Sequence, residues 1–116
     1  MRYVETALEH LVKDFEVNNL PISLLQYIQL SNISDTKGVS PVLSFTIQSD
    51  PIEEVGVNGL QATDMLRCIK ALFISLDAIS PCMENKNTIH VIDIALAWQQ
   101  ARITNREAVV LKNINN

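Results

Sequence analysis

From Cys82 to Leu111 the chain contains neither a glycine nor a proline. Nothing in that span interrupts a helix, which at 1.5 Å per residue would be roughly 40 Å long. Ser80-Pro81 sits just ahead of it, with Ser80 placed to cap and Pro81 to serve as the first helical residue. The apolar residues of this element fall on more than one face. Ile89, Ile92 and Leu96 share one; Val91, Ile94, Ala95 and Trp98 share another. In a small protein a helix that is apolar on two sides must bury the second side against something, most simply another copy of the chain. The sequence therefore predicts a homodimer or a larger homo-oligomer.

Before Ser80 a second helix is predicted. Leu60, Met65, Leu66, Ile69, Leu72, Phe73 and Leu76 make a wide apolar stripe, and Thr63 and Asp64 lie in the first turn, where polar oxygens and negative charge are favourable. Residues 60–78 and 82–111 thus form a helical hairpin. At the amino terminus Val4, Ala7, Leu8, Leu11, Val12 and Phe15 recur at helical spacing, which predicts an amphipathic helix over residues 2–16 stopped by Asn18 and Asn19. Pro21 to Leu30 suits helix or strand, and Pro21 as an opening residue tips the reading to helix. Residues 31–41 read as a loop. Leu43, Phe45 and Ile47 alternate with polar neighbours as in a half-buried strand, and Ile52–Val57 can return beside it after an Asp50-Pro51 turn. Gly56 would mark a bulge or a close backbone approach there, and Asn58-Gly59 a turn. The class is α+β: an N-terminal amphipathic helix, a small antiparallel β element over about 42–57, and a long C-terminal helical hairpin. All 116 residues make one domain, with residues 1–40 a helical extension of the 42–111 core.

Composition excludes several functions. Nine basic against thirteen acidic residues leave a net charge of −4, where a nucleic-acid polymer would demand a basic face. A small phosphorylated ligand needs only two or three placed donors. No apolar run approaches a membrane span, and the first residues lack a signal-peptide core, so a cytoplasmic protein is expected. Two cysteines, Cys68 and Cys82, make neither a disulfide framework nor a metal set.

Arg102 and Arg106 are the leading candidates for chemistry. At i and i+4 they share a helix face, so two guanidinium forks can converge on one phosphate or diphosphate, with Gln99 and Asn105 close by. Asn85 and Asn87 lie near the start of the same helix, where free N–H groups favour anions. Each of these has a plainer reading as a solvated or capping residue. Trp98 can stack on a base or pack at a subunit interface. His10 and His90 stand apart, with no ligand-spaced partner. No nucleophile elbow, phosphate loop, dinucleotide fingerprint or metal-binding helix motif is present, and only His90 and Glu84 offer a general base. No enzymatic activity, metal or cofactor is expected.

Two strings resemble a known family. FTIQSDPIEEVGVNGLQATDML (residues 45–66) is similar to an opening of the form F-Q-x-G-P-I-K-E-V-G-V-N-G-x-Q, and CMENKNTIHVIDIALAWQQARITNRE (residues 82–107) to a helix of the form C-x-E-N-A…A-L-x-W-L-x-A-R-T-x-x-R. Both belong to helical-hairpin phage anti-defence proteins, the Thoeris anti-defence sponges and, more distantly, the anti-CBASS sponges. The resemblance covers about residues 43–110. It implies a protein that sequesters a cyclic nucleotide immune messenger without cleaving it, most specifically a cyclic ADP-ribose isomer, in a homodimer or a higher assembly such as a hexamer. It carries Asn85, Arg102 and Arg106 into the ligand pocket. Where family members carry Phe-Gln-Ala-Gly, this chain has Leu76-Asp77-Ala78, so Phe73 or Trp98 would have to supply the aromatic contact to the base. AVVLKNINN replaces the family's Arg-Gly-Val-x-Gly ending, and residues 1–40 have no counterpart.

Overall fold

The computed structural model describes the backbone of residues 2–115 and the side chains of residues 4–106. The first helix, α1 (Arg2–Val17), buries Val4, Ala7, Leu11 and Phe15, the stripe its spacing predicts. Asn19 adopts φ 55° and ends it. The Asn19 N–H donates to the Glu16 carbonyl and the Leu20 N–H reaches back to Phe15, so the last carbonyls are satisfied by a left-handed stop.

Residues 21–41 depart from expectation, while the strand expected through Leu43 and Phe45 forms. Pro21 opens only a single 3-10 stretch, Ile22–Tyr27, and the chain then extends as β1 (Ile28–Asp35). After a two-residue turn it returns antiparallel as β2 (Gly38–Phe45), in a register that pairs Ile28 with Phe45 and Asp35 with Gly38. The segment 31–41 read as a loop because its side chains are mostly polar. They are polar because this end of the ribbon stands in solvent, its residues exposed from Gln29 to Ser40. Asp35 holds the turn by accepting the Lys37 N–H at 2.7 Å, and Gly38 supplies φ 129°.

The predicted return strand at 52–57 does not form. Pro51 instead starts one helical turn, α2 (Ile52–Val55), with Glu53 and Glu54 at its positive end, and Gly56 stops it at φ 75°. The two glycines also exchange the expected roles. Gly56 has open space around it, whereas a Cβ on Gly59 would lie 2.5 Å from the backbone carbon of Ile47. The close backbone approach is therefore at Gly59. There Leu60 donates to Thr46 and Gln48 donates back to Leu60, each at 2.8 Å, forming a parallel bridge between Ile47 and Leu60.

The helical hairpin forms, but α3 turns Cys68, Ala71 and Ser75 into the core and leaves Ile69 and Leu76 of the expected stripe exposed. α3 (Ala62–Ile79) begins with a capping box: the Gln61 side chain takes a first-turn N–H, and Asp64 accepts the Gln61 N–H at 2.9 Å. α4 (Met83–Asn115) begins two residues later than a Pro81 start would place it. The Cys82 N–H donates to Asp77, and Lys86 reaches the same carboxylate at 3.0 Å, clamping the two helices at their junction. Those two hydrogen bonds hold the Asp77 carboxyl below its ordinary range. The main core gathers Ala7, Leu11, Phe15, Cys68 and Ala71, closed by Leu24, Leu25, Ile28, Leu43, Phe45 and Leu72. It lies between α1 and α3. On α4 the buried residues among those described are Ile92 and Leu96, each still slightly exposed.

The architecture is therefore α+β, a two-stranded antiparallel ribbon with an N-terminal helix and two long C-terminal helices. It is extended. The radius of gyration is 17.1 Å, against about 13 Å for a compact chain of this length. Its accessible surface of 8317 Å² exceeds by about 2,000 Å² what folded monomers of this mass expose. Among the described residues no helix is long and apolar enough to cross a membrane.

Candidate anion-binding face of the last helix

α4 runs back along α3, from Lys86 at Asp77 to Asp93 at Lys70, and continues over the loop that links β2 to α3. That loop is held by side chains. Asn58 accepts the Ser49 N–H at 2.9 Å and donates to the Ser49 carbonyl, while Gln48 donates to Gly56 at 2.9 Å and accepts the Asn58 N–H. Tyr27 adds a hydroxyl bond to Val57. Asn58-Gly59, read from sequence as a turn dipeptide, is thus a latch and a contact point, with neither residue at positive φ.

On α4, Arg102 and Arg106 are exposed and make no ion pair or hydrogen bond with a described residue. The contrast with other cations is direct. Arg67 holds Asp14 at 2.8 Å, Lys70 holds Asp93 at 2.6 Å and Lys86 holds Asp77. Among the described residues Lys13 and Lys37 are also unpaired, but each stands singly elsewhere; of these four unpaired cations, the two arginines alone are adjacent on one helix face. Arg106 overhangs a hollow of about 410 Å³ floored by Gln48, Leu60 and Met65. Its side chain shares a face with Gln99 and Ile103, at spacings of seven and three residues, which line a second cleft of about 290 Å³. Ile52 and Gln61 border both spaces.

The other expected ligand contacts are not brought to this place. Asn85 is half-buried at the helical junction; its amide donates to the Ser80 carbonyl at 3.5 Å and its N–H to the Cys82 sulfur. Seventeen residues of helix put it about 25 Å from Arg102 along the axis. Phe73 is half-buried on α3, lining neither space. Trp98 is 72% exposed; at i, i+4 it shares a helix face with Arg102, and Val91 and Ile94, both exposed, continue that stripe toward the start of the helix. Within one protomer, then, the arginine pair and Trp98 are neighbours, while Asn85 and Phe73 are remote. Contacts of the AVVLKNINN ending, and of Glu107 beside Arg106, lie outside the described side chains.

Nothing in the described residues gathers as a metal or nucleophilic centre. His90 and Glu84 are both exposed, and neither has a hydrogen-bonding partner for its side chain among the described residues. Burial raises the Cys68 thiol above its ordinary pKa, as befits a small core residue rather than a nucleophile. The residue that sequence reasoning missed is Gln100, which lines the smaller cleft beside Gln99; no spacing rule singles out a glutamine. Comparison with protein families, characterised proteins and solved structures finds no match to this chain.

Proposed function

We propose that this protein is a non-enzymatic receptor that binds and sequesters a small cyclic nucleotide, most specifically a cyclic ADP-ribose isomer of Thoeris signalling, as a phage anti-defence protein acting in the host cytoplasm. The observation that carries this reading is the Arg102–Arg106 pair. Two adjacent guanidinium forks with no carboxylate partner among the described residues are a site for a doubly charged anion such as a diphosphate. The motif resemblance at residues 45–66 and 82–107 supplies the ligand class.

Sequestration demands tight binding; a nanomolar constant is about −12 kcal/mol. Charge-assisted hydrogen bonds of roughly 1.5–3 kcal/mol each do not reach that from two arginines. A second copy would add burial, and it is the route by which Asn85 or Phe73 can join the pair. The uncovered surface of the monomer and the exposed stripe Val91, Ile94 and Trp98 support such an assembly.

Thermal melting with a panel of cyclic ADP-ribose isomers and cyclic oligonucleotides tests the function. A ligand at 1,000 times its dissociation constant adds about 4 kcal/mol, a shift of well over ten degrees here. Arg102→Ala with Arg106→Ala should keep the fold and lose that shift, and the ligand should be recovered intact after denaturation. Micromolar or better binding by the double variant would remove these residues from the role. The same apolar stripe also favours a second reading, a helical module that binds another protein. On that reading the double arginine variant keeps its partner and Trp98→Glu loses it.

A further inference from the structure

We propose that the cleft beneath α4, between Pro21 and Leu24 on one side and Val57 on the other, is the base-binding half of a nucleotide site whose phosphate half is the arginine pair; this rests on the function proposed above. The chemistry of the cleft is selective. Its walls are apolar, with Pro21, Leu24, Val57 and Ile103 facing the space. Two charged residues border it, and both are already engaged: Asp64 accepts the Gln61 N–H in the capping box, and Arg67 is bound to Asp14 at 2.8 Å. What remains unpartnered among the described residues is neutral, the side-chain amides of Gln99 and Gln100 and the Thr63 hydroxyl, all lining the cleft. Apolar walls with unspent amide donors and acceptors suit an uncharged heteroaromatic ring and disfavour a free anion or cation.

Size and spacing agree. A volume of about 290 Å³ lies at the lower end of ligand pockets, roughly 300–1,000 Å³, enough for a purine rather than for a whole dinucleotide. Gln99 and Arg106 are two turns apart on the same face, about 10 Å along the axis, which is the reach from a base to its diphosphate. Asp50 and Glu53 border the hollow under Arg106. They weaken that end for phosphate alone, so the base supplies the anchoring and the arginines the charge pairing.

The test uses the full-length chain, labelled with nitrogen-15 and titrated with adenosine, ADP-ribose and inorganic phosphate. Adenosine should move the side-chain amide signals of Gln99 and Gln100; phosphate should not. Ile103→Trp fills the cleft from a half-exposed position and should weaken adenosine and ADP-ribose at least tenfold, with melting checked to establish that the fold survives. Gln99→Leu, which leaves the space open, should weaken adenosine several-fold. If a cyclic messenger stabilises the protein while adenosine leaves the glutamine amides unmoved and Ile103→Trp binds normally, the cleft assignment is overturned and the sequestration reading stands. If adenosine saturates the cleft but no messenger binds, the cleft stands and sequestration fails.

Discussion

Asp14 ties three helices together, and its loss should cost more than that of any other surface-reaching carboxylate. On α1 it faces Arg67 at 2.8 Å and Lys70 at 4.0 Å, and Lys70 continues to Asp93 of α4 at 2.6 Å. The Asp14 and Arg67 side chains are only 18% and 14% exposed, whereas Asp93 is 49% exposed. Removing one partner of a fully buried pair costs about 3–5 kcal/mol, because the survivor's charge stays desolvated. Allowing for the residual exposure, Asp14→Asn should cost about 2–3 kcal/mol. Asp93→Asn should cost under about 1 kcal/mol, since a half-exposed lysine pair is screened and Lys70 keeps Asp14 within reach. For a chain of this length about 4 °C of melting temperature corresponds to 1 kcal/mol, so the two variants should melt about 8–12 °C and under about 4 °C below the parent. Calorimetry at neutral pH and low salt reads both. Asp14→Asn combined with Arg67→Met should recover most of the loss, because the stranded guanidinium is gone. Equal effects of Asp14→Asn and Asp93→Asn, or no recovery in the double variant, would refute the argument that desolvation of Arg67 sets the cost.

Other positions make sharper or smaller claims. Gly59→Ala forces a Cβ into the Ile47 backbone and should destabilise by about 1–3 kcal/mol, read by urea unfolding; Gly59 variants that unfold like the parent would mean the Ile47–Leu60 bridge yields freely. Ser75 is buried with its hydroxyl unpartnered among the described residues, so Ser75→Ala should raise stability, by about 1 kcal/mol, in the same assay. Because Asp77 is held below its ordinary carboxyl range in the folded state, its contribution is present above the unfolded pKa and is lost as pH falls through the lower folded value. Melts of the parent and of Asp77→Asn should therefore differ at pH 6 and converge toward pH 2.

The helices were legible from the spacing of their apolar residues. Val4, Ala7, Leu11 and Phe15 on α1 are buried as their spacing implies, whereas α3 buries the small residues Cys68, Ala71 and Ser75 beside its expected stripe and leaves Ile69 and Leu76 exposed, because close approach to α1 selects small side chains. Of the β ribbon the inner end of β2, with Leu43 and Phe45 alternating, was legible; the outer half was not, because it is exposed on both faces and so carries no alternation of apolar and polar residues to read. Ile52–Val57 failed for a different reason. Its β-branched content suits a strand, but Pro51 fixes a helical φ and Gly56 a left-handed one, and these local constraints decide six residues that bury nothing. At the site, the i, i+4 spacing of Arg102 and Arg106 was visible, and so was Gln99 beside them. The cleft was not, since it is made by Pro21, Leu24 and Val57, which the chain brings under α4 only by folding the 47–60 loop back on itself.

The far half of α4 is the part of the structure that most needs an explanation. Beyond Leu96 its described side chains are at most half-buried, yet fixing each backbone residue in helix costs about 1–2 kcal/mol of conformational entropy, and an isolated helix of this length is marginal in water. A bound partner that covers the exposed stripe as far as Trp98 relieves part of that deficit, and a bound anion relieves it by satisfying Arg102 and Arg106. Both act on the same segment, so each lowers the ordering cost left for the other, and their binding must be positively coupled. Sedimentation velocity should accordingly show a higher association constant in the presence of the stabilising messenger than without it, and Trp98, as the only tryptophan, reports the change as a blue shift of emission. Association that is indifferent to ligand would place the two on independent surfaces of the helix.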